Sequence, residues 1–393
     1  MLTDKISNYI QYIKYIAGYM FMHFISLFAR KLPKYKNLWL VSERNSDARD
    51  NGYHFFKYLC KEQPQINCAY IIDKSSADYE RVSKLGKTIS PNTPSHMLAL
   101  ACAKVCISTH IMGFTPDPYR FAILDKYFKS VRGKKVFLQH GIIMNDLKEL
   151  YYPASRPDLF ICTAIPEYNF LKSRFNYPPE VIQRIGLCRY DRLNEGHTVK
   201  RQILVMPTWR IYLRGLSDAD FIKSDYYKSF NSLLNSAETA KMLDENNFEM
   251  VFYLHFELQP YTGLFKSINK RIKTVSFGDA DVQTLLMESA ILVTDYSSVF
   301  FDFAYMKKPL AYFWFDEENF FGSHYQKGYF DFYKDGFGPV LNTHKAVTEY
   351  IAARIKDNLK PEKEYSDRSK EFFCDLGKDH CKKTYEAICN TLN

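Results

Sequence analysis

The sequence predicts an α/β protein built from two halves, each with a parallel β-sheet covered by helices. Short apolar runs alternate with segments of helical character, and the same alternation starts again after a polar stretch at 194–202. Apolar runs of this length between polar loops are typical of buried strands, and their alternation with helices is typical of βα units. A chain of 393 residues is long enough for two such domains.

The first half contains five predicted strands, at 38–42, 68–72, 105–108, 135–138 and 159–162. The second half contains five more, at 203–206, 250–254, 274–276, 291–294 and 309–313. Helices are predicted between and after the later strands, at 224–246, 281–289, 298–307 and 344–358. We therefore divide the chain into four segments: a helix at 1–36, two α/β domains at 37–197 and 198–365, and closing helices at 366–393 that pack back across the domains.

The first 36 residues combine an apolar helix with a cluster of cations. Between Lys14 and Arg30 no residue carries a formal charge, a stretch shorter than the roughly 20 residues that a membrane-spanning helix needs. Helical spacing predicts one strongly apolar face, formed by Ile6, Ile10, Ile13, Ala17, Met20, Phe24 and Leu27. Four cations follow directly, namely Arg30, Lys31, Lys34 and Lys36. We expect an amphipathic helix that associates with an anionic membrane surface, the alternative being a first helix packed on the core.

Composition limits the possible partners. The 53 basic and 44 acidic residues give a formal net charge of +9, which favours anionic lipids or phosphorylated substrates. The chain has no block of five or more basic residues, so nucleic acid is not an expected partner. Its nine cysteines show neither CxxC pairs nor zinc-binding spacing, which indicates reduced thiols in a cytoplasmic protein. The absence of GxGxxG and Walker A sequences gives no support to a dinucleotide-binding or P-loop protein.

Polar residues follow the predicted strand at 291–294. Asp295, Tyr296, Ser297 and Ser298 form a turn, and a helix is predicted to begin there. Serine hydroxyls and free N–H groups at a helix start can bind an anion, although two serines that only cap a helix would give the same pattern. In open parallel sheets, ligands bind at the carboxyl ends of the strands, which is where this turn lies.

Other strand ends add groups suited to phosphate. Thr208 and Arg210 follow the strand at 203–206, and arginine offers a planar fork to phosphate oxygens. His255 ends the strand at 250–254, and His140 and Gly141 follow the strand at 135–138. One histidine at a strand end is more often structural, but these groups at equivalent positions of a two-domain chain favour a ligand-binding cleft.

Several short sequences at and near the strand ends, in their order along the chain, resemble those of the CDP-glycerol glycerophosphotransferase family, whose members build teichoic acids and related phosphate-linked polymers. The resemblance covers roughly 40–390 and rests on QHG at 139–141, GLCRYD at 186–191, PTWR at 207–210, LH at 254–255, and TDYSS at 294–298 followed by Phe301 and Asp302. Two departures concern the acceptor side. Gln139 stands where the family usually has tryptophan, and Phe256 stands where proline usually follows the second histidine.

The resemblance implies an α/β fold of the glycosyltransferase-B type, with two Rossmann-like domains facing a cleft. It implies that 198–365 binds a CDP-polyol donor and that 37–197 binds the acceptor, a hydroxyl of a polyprenyl-diphosphate-linked glycan or teichoic acid. The reaction would transfer a polyol phosphate, foremost glycerol phosphate, and release CMP. The nearest alternative is the same fold with CDP-ribitol or a nucleotide sugar in capsule synthesis; a remote one is a non-catalytic polyanion- or membrane-binding protein. The implied location is the cytoplasmic face of the cell membrane, as a peripheral protein.

Residue roles follow from the same resemblance. The expected catalytic residues are His140, as the base that takes the proton of the acceptor hydroxyl, together with His255 and Asp302. The expected donor-binding residues are Gly141, Thr208, Arg210, His255, Thr294, Asp295, Ser297 and Ser298. Asp302 is expected to orient His255 or Arg210 or to bind the polyol, and a helix-capping role is the alternative.

Two Asp-x-Asp strings, at 218–220 and 279–281, would suit a metal-bound nucleotide. Such strings arise by chance in a chain with 44 acidic residues. Asp279 is expected to cap a helix. No metal or cofactor is therefore expected.

Overall fold

Two parallel sheets form the framework of the protein, seen in a computed structural model that describes residues 2–128, 130–276, 278–323 and 326–392. The first sheet contains seven strands: β1 (Trp39–Ser42), β2 (Cys68–Ile71), β3 (Lys87–Ile89), β4 (Val105–Ser108), β5 (Lys134–Phe137), β6 (Leu159–Cys162) and β7 (Ile182–Arg184). The second contains six: β8 (Gln202–Val205), β9 (Glu249–Tyr253), β10 (Ile272–Val275), β11 (Ile291–Thr294), β12 (Leu310–Phe313) and β13 (Val340–Leu341).

Helices cover the sheets. Those before β8 are α1 (Leu2–Ala29), α2 (Asn51–Glu62), α3 (Tyr79–Ser83), α4 (Pro94–Cys102), α5 (Pro118–Phe128), α6 (Tyr152–Ser155), α7 (Ile165–Ser173) and α8 (Tyr190–Leu193). Those after it are α9 (Asp218–Phe221), α10 (Asp225–Asn235), α11 (Ala237–Asn246), α12 (Val282–Glu288), α13 (Val299–Tyr305), α14 (Glu317–Ser323), α15 (Phe332–Asp335), α16 (His344–Lys356), α17 (Lys363–Phe372) and α18 (His380–Leu392).

Both sheets have the doubly wound order of a Rossmann-like domain. The strand order is β3-β2-β1-β4-β5-β6-β7 in the first sheet and β10-β9-β8-β11-β12-β13 in the second. The direction in which successive strands are added reverses between β1 and β4 in the first sheet and between β8 and β11 in the second. These switch points open a crevice at the carboxyl ends of the strands. The central strands are fully buried because helices cover both faces. The predicted fold class is confirmed.

Details of the elements differ from the prediction. The segment at 224–246 forms two helices instead of one, because Ser236 ends α10 and caps α11 by accepting a hydrogen bond from the Thr239 N–H. The strands β3, β7 and β13 lie at or near the sheet edges, are only two or three residues long, and were not predicted.

An aromatic core joins the two halves. Tyr190 of the first half stacks on Tyr305 of the second, with 4.0 Å between ring centroids, and Phe373 at the end of α17 packs edge-on against both rings. Helix α18 then returns to the first half, where Cys381 and Ile388 are buried in its core. The last two helices therefore contact both halves.

Helix α1 has one packed face and one exposed face. Tyr19 and Ala29 are buried, and the Tyr19 ring meets Phe121 of α5 at 4.6 Å. On the other face, large apolar side chains are exposed: Ile13, Met20, Phe21, Phe24, Leu27 and Phe28. The side chains of Ile6 and Ile10, assigned to the same face from the sequence, lie outside the described residues. Within the described part of the chain, no helix combines the length and apolarity that crossing a bilayer requires.

Gly186 provides a test of how α18 docks. Its φ is +108°, and a Cβ at this position would lie 2.6 Å from Nδ1 of His380, the first residue of α18. We expect Gly186→Ala to destabilise the protein by roughly 2 kcal/mol, through backbone strain and displacement of His380. Gly196→Ala is the matched control, because nothing lies within 4 Å of its Cβ position. Thermal unfolding measures both, and equal melting temperatures would contradict the docking.

Candidate active site

Arg210 is buried inside the second half of the protein. Its Nε and Nη2 donate to Asp316 at 2.7 and 3.0 Å, Nη2 lies 2.9 Å from Asp295, and Nη1 donates to the Thr208 carbonyl at 2.7 Å. The side chain has 0% exposure, and the faces of Tyr296 and Phe320 lie about its guanidinium at 5.0 and 4.9 Å. Every direction in which the guanidinium could donate is therefore occupied by protein.

The residues around Arg210 hold the turn that follows β11. Asp295 accepts hydrogen bonds from the N–H groups of Thr208 and Tyr296, both at 2.7 Å, and Thr294 donates to the Met206 carbonyl at 2.7 Å. Burial raises the pKa of Asp295, while the Arg210 charge acts in the opposite direction. Arg210, Thr294 and Asp295, which the sequence predicts to contact the donor, therefore have polar partners within the protein. They are buried and pair with each other or with the backbone. Thr208 is also buried.

Two serines follow this turn, and Ser298 lies at the cleft. Ser297 and Ser298 are half-buried, and neither hydroxyl has a hydrogen-bond partner among the described residues. Gly141 of the first half lies against Ser298, since a Cβ on Gly141 would be 3.2 Å from the Ser298 Oγ. The QHG loop and the TDYSS turn therefore meet across the cleft.

His140 forms a stacked pair with His110. The two rings are 5.0 Å apart and nearly parallel, at 4°. His140 remains open to solvent along the cleft, but the protein around it desolvates the ring and lowers its pKa, an effect that Asp50 opposes. Burial also lowers the pKa of His110, to about 3. Both imidazoles are therefore neutral near pH 7. His110 follows β4 in the string STH and was not predicted as a site residue.

His255 lies at the end of β9 beside Trp209. Its Nδ1 accepts a hydrogen bond from the Glu257 N–H at 3.3 Å, and its ring is nearly parallel to that of Trp209, with 6.1 Å between centroids. Burial lowers the pKa of His255 to about 4, so this imidazole is also neutral. With Nδ1 as acceptor, Nε2 carries the hydrogen and is a donor.

Asp302 binds Arg189, which was not predicted as a site residue. Its carboxylate forms a bidentate ion pair with Arg189, accepting from Nε at 2.8 Å and from Nη2 at 2.7 Å. Arg189 also donates from Nη1 to Asp50 at 2.7 Å and to the His140 carbonyl at 2.8 Å. Asp302 thus binds Arg189, and no hydrogen bond joins it to His255 or Arg210 among the described residues. It acts on the His140 loop through Arg189, which lies in the GLCRYD string.

A cavity of 210 Å³ opens beside His140 in the first half. It is lined by Glu43, Arg44, Asp47, Arg49, Asp50, Thr109, His110 and His140. Glu43 anchors the loop around it by accepting hydrogen bonds from the N–H groups of Arg49, Asp50 and Tyr53, while burial raises the pKa of this carboxyl. Carboxylates beside a histidine are suited to accept hydrogen bonds from the hydroxyls of a polyol.

The Asp-x-Asp strings have local structural partners. Asp281 caps α12 and pairs with Arg192 at 2.6 Å, whereas Asp279 accepts a hydrogen bond from the Ser276 N–H in the loop before it. The expectation that Asp279 caps the helix is therefore corrected to Asp281. Asp220 pairs with Lys223 at 3.0 Å. In the residues that the structure describes, no group of three or more histidine, cysteine or acidic side chains could hold a metal ion.

Comparison with known sequences decides the family. The family model described as CDP-glycerol:poly(glycerophosphate) glycerophosphotransferase matches residues 22–389. The chain belongs to this family. The resemblance stated from the strand-end strings is thereby confirmed.

Curated relatives in this glycerophosphotransferase family are longer than the chain. The minor teichoic acid biosynthesis protein GgaB of Bacillus subtilis is 33% identical over 395 residues, covering 97% of this chain and 42% of that protein. The teichoic acid glycerol-phosphate transferase of Staphylococcus aureus is 26% identical over 251 residues, covering 61% of this chain and 53% of that protein. The chain thus spans about half, or less, of the relatives that it matches.

Solved structures share the fold. The wall teichoic acid polymerase TagF is 16% identical, with a TM-score of 0.69 and coverage of 98% of this chain and 97% of that one. A putative UDP-N-acetylglucosamine 2-epimerase from Listeria monocytogenes is 13% identical, with a TM-score of 0.57 and coverage of 90% and 96%. The two-domain arrangement predicted for the glycerophosphotransferase family is therefore present in this chain.

Because Arg210 is buried among carboxylates, its substitution is expected to lower the stability of the protein instead of weakening ligand binding selectively. We expect Arg210→Met to lower the stability of the second half by about 3–5 kcal/mol, because Asp295 and Asp316 would remain buried without their counterion. Thermal unfolding measures the loss. Arg271→Met, at an exposed surface ion pair with Asp244, is the control and is expected to cost well under 1 kcal/mol. A stable Arg210→Met protein with weakened ligand binding would contradict the structural role.

Proposed function

We propose that the protein transfers glycerol phosphate from CDP-glycerol to a hydroxyl of a lipid-linked teichoic acid or related cell-surface glycan, releasing CMP. The proposal rests on the contact of Gly141 with Ser298, through which the histidine loop of one half meets the free hydroxyls of the other. Membership of the glycerophosphotransferase family supports the reaction class. Its relatives include teichoic acid polymerases and transferases.

In the proposed reaction, an acceptor oxygen attacks the β-phosphorus of CDP-glycerol. A new P–O bond forms to the acceptor, the bond from the β-phosphorus to the bridging oxygen breaks, and CMP leaves with that oxygen. The acceptor proton passes to His140, which is neutral near pH 7 and can accept it. Ser297 and Ser298 donate hydrogen bonds to oxygens of the transferred group, and His255 donates from Nε2 to the leaving phosphate.

The cavity beside His140 provides a site for the acceptor. Asp47 and Asp50 line it, and carboxylates accept hydrogen bonds from neighbouring hydroxyl groups of a polyol or sugar. Asp50 is itself fixed by Arg189, so its position is coupled to that of the His140 loop. The attacking hydroxyl would therefore be held next to the base before the donor arrives.

His140→Ala tests the base. We expect CMP release from CDP-glycerol, in the presence of a lipid-linked acceptor, to fall by at least about 100-fold, because the imidazole proposed to take the acceptor proton is lost. His197→Ala, in the linker between the halves, is the control and is expected to be unchanged. Release of CMP by the His140→Ala protein at the wild-type rate would exclude the role.

The pH dependence of kcat/KM for the wild-type protein also tests the role of His140 as the base. The base works only when unprotonated, so kcat/KM falls as pH drops through the pKa of His140. Since burial lowers that pKa below 6.5, we expect the acid limb to have its midpoint below pH 6.5. A midpoint well above pH 6.5 would point to a different base.

We further propose that the exposed face of α1 associates with an anionic membrane on its cytoplasmic side. Met20, Phe24 and Phe28 are each more than 60% exposed, an unusual density of large apolar groups on one helix. The cations at 30–36 follow at the end of the same helix and would face anionic head groups. An enzyme held in this way would meet a lipid-linked acceptor at the surface in which that acceptor is anchored.

The double variant Phe24→Glu, Phe28→Glu tests membrane association. We expect its binding to vesicles with about one-third anionic lipid to fall at least 10-fold in a co-sedimentation assay, since two apolar contacts become two repelled charges. Ile268→Glu is the matched control, because Ile268 is fully exposed on the second half, away from α1. An equal loss in the control, or no loss in the double variant, would contradict the assignment of the binding face.

A further inference from the structure

The cleft contains a cation that neither the motifs nor the ion-pair network accounts for. Arg44 follows β1 and the buried Glu43, is exposed, and lines the cavity beside His140. Among the described residues, its guanidinium forms neither a direct ion pair nor a hydrogen bond, although its charge acts on Asp47 in the same cavity and opposes the rise in the pKa of that carboxyl. The other two arginines of this region are engaged, since Arg49 pairs with Asp78 at 2.9 Å and Arg189 with Asp302 at 2.7 Å.

Arg44 faces both halves of the protein. It acts electrostatically on His110 and His140 of the first half and on His255 of the second, and its charge lowers the pKa of each ring. Arg44 lines the same cavity as His110 and His140 of the first half, and the effect of its charge extends to His255 of the second half. An anion bound between His140 and His255 would therefore be within reach of the guanidinium.

The loop that carries Arg44 is held in place while the side chain is free. The Glu43 carboxylate accepts three backbone N–H bonds, the Asp47 N–H donates to the Arg44 carbonyl at 3.3 Å, and the Asp73 N–H donates to the Asn45 carbonyl at 2.8 Å. A fixed backbone reduces the entropy that a long side chain loses on binding a ligand. An unpaired guanidinium on such a loop is suited to bind a phosphate through two parallel N–H···O bonds.

We propose that Arg44 binds the diphosphate of the CDP-linked donor, the role that the sequence had suggested for the buried Arg210. The inference rests on the proposed function. It adds a donor contact from the half that otherwise holds the acceptor. As the bond between the β-phosphorus and the bridging oxygen breaks, negative charge grows on the leaving CMP, and the guanidinium stabilises that charge.

Equilibrium binding to the full-length chain tests the inference, with CDP-glycerol, CDP and cytidine as three probes in separate titrations. We expect Arg44→Ala to weaken the binding of CDP-glycerol and CDP by about 10-fold or more, as for the loss of a hydrogen-bonded charge pair. Cytidine has no phosphate, so its affinity stays unchanged. Arg44→Lys keeps the charge but loses the fork, and it is expected to recover part of the affinity.

Lys61→Ala is the matched control, because it removes one exposed positive charge of the same half at the other end of α2. If net charge alone mattered, this variant would weaken CDP binding as much as Arg44→Ala does. Unchanged CDP affinity in Arg44→Ala overturns the proposal, as does an equal loss for CDP and cytidine. An unchanged CDP affinity with a raised KM for the acceptor would also overturn it, by assigning Arg44 to the acceptor.

The outcomes separate this inference from the proposed reaction. If the wild-type protein binds CDP through Arg44 but transfers no glycerol phosphate, the inference stands and the proposed reaction fails. If the wild-type protein transfers glycerol phosphate and Arg44→Ala does so with the same kcat and KM, the reaction stands and the inference fails. If the wild-type protein binds no CDP, both fail.

Discussion

The ion pair between Arg189 and Asp302 is the interaction on which the geometry of the cleft depends. It joins a residue before α8 in the first half to one in α13 of the second, and both side chains are at most 10% exposed. The same guanidinium holds Asp50 and the carbonyl of His140. Removing one partner of a buried pair leaves an uncompensated charge, so this pair fixes the approach of the two halves as well as the His140 loop.

Two arginines near the cleft show what local sequence patterns leave undetermined. Arg210 stands one turn after a strand, where an arginine facing a ligand would also stand. Its environment is set by Asp316, which lies 106 residues further along the chain, and no local pattern indicates that pairing. Arg44 lies in a polar loop without a regular pattern, and only the arrangement of three strand ends from two sheets brings it close to His140 and His255.

The fold was predictable where burial alone decides the structure. Central strands such as β1, β8 and β11 are continuous apolar runs because helices cover both of their faces. β3 at a sheet edge is exposed along part of its length, so its sequence, KTI, lacks that signal. The residues at the strand ends were predictable as a group, because ligands bind at the carboxyl ends of the strands in open parallel sheets. Which of them face the cleft depends on side-chain pairing between distant segments, as the contrast between Ser298 and Asp295 demonstrates.

The electrostatics of the cleft separate proton transfer from anion binding. The surrounding protein desolvates His110, His140 and His255 and lowers the pKa of each ring, and Arg44 adds to the effect, so none of them contributes positive charge near pH 7. A neutral imidazole can accept a proton, whereas an imidazolium attracts the donor but cannot act as a base. In the proposed reaction, the positive charge that a diphosphate requires would come from a group that does not titrate in this range. A guanidinium meets that condition, and the exposed one in this cleft belongs to Arg44.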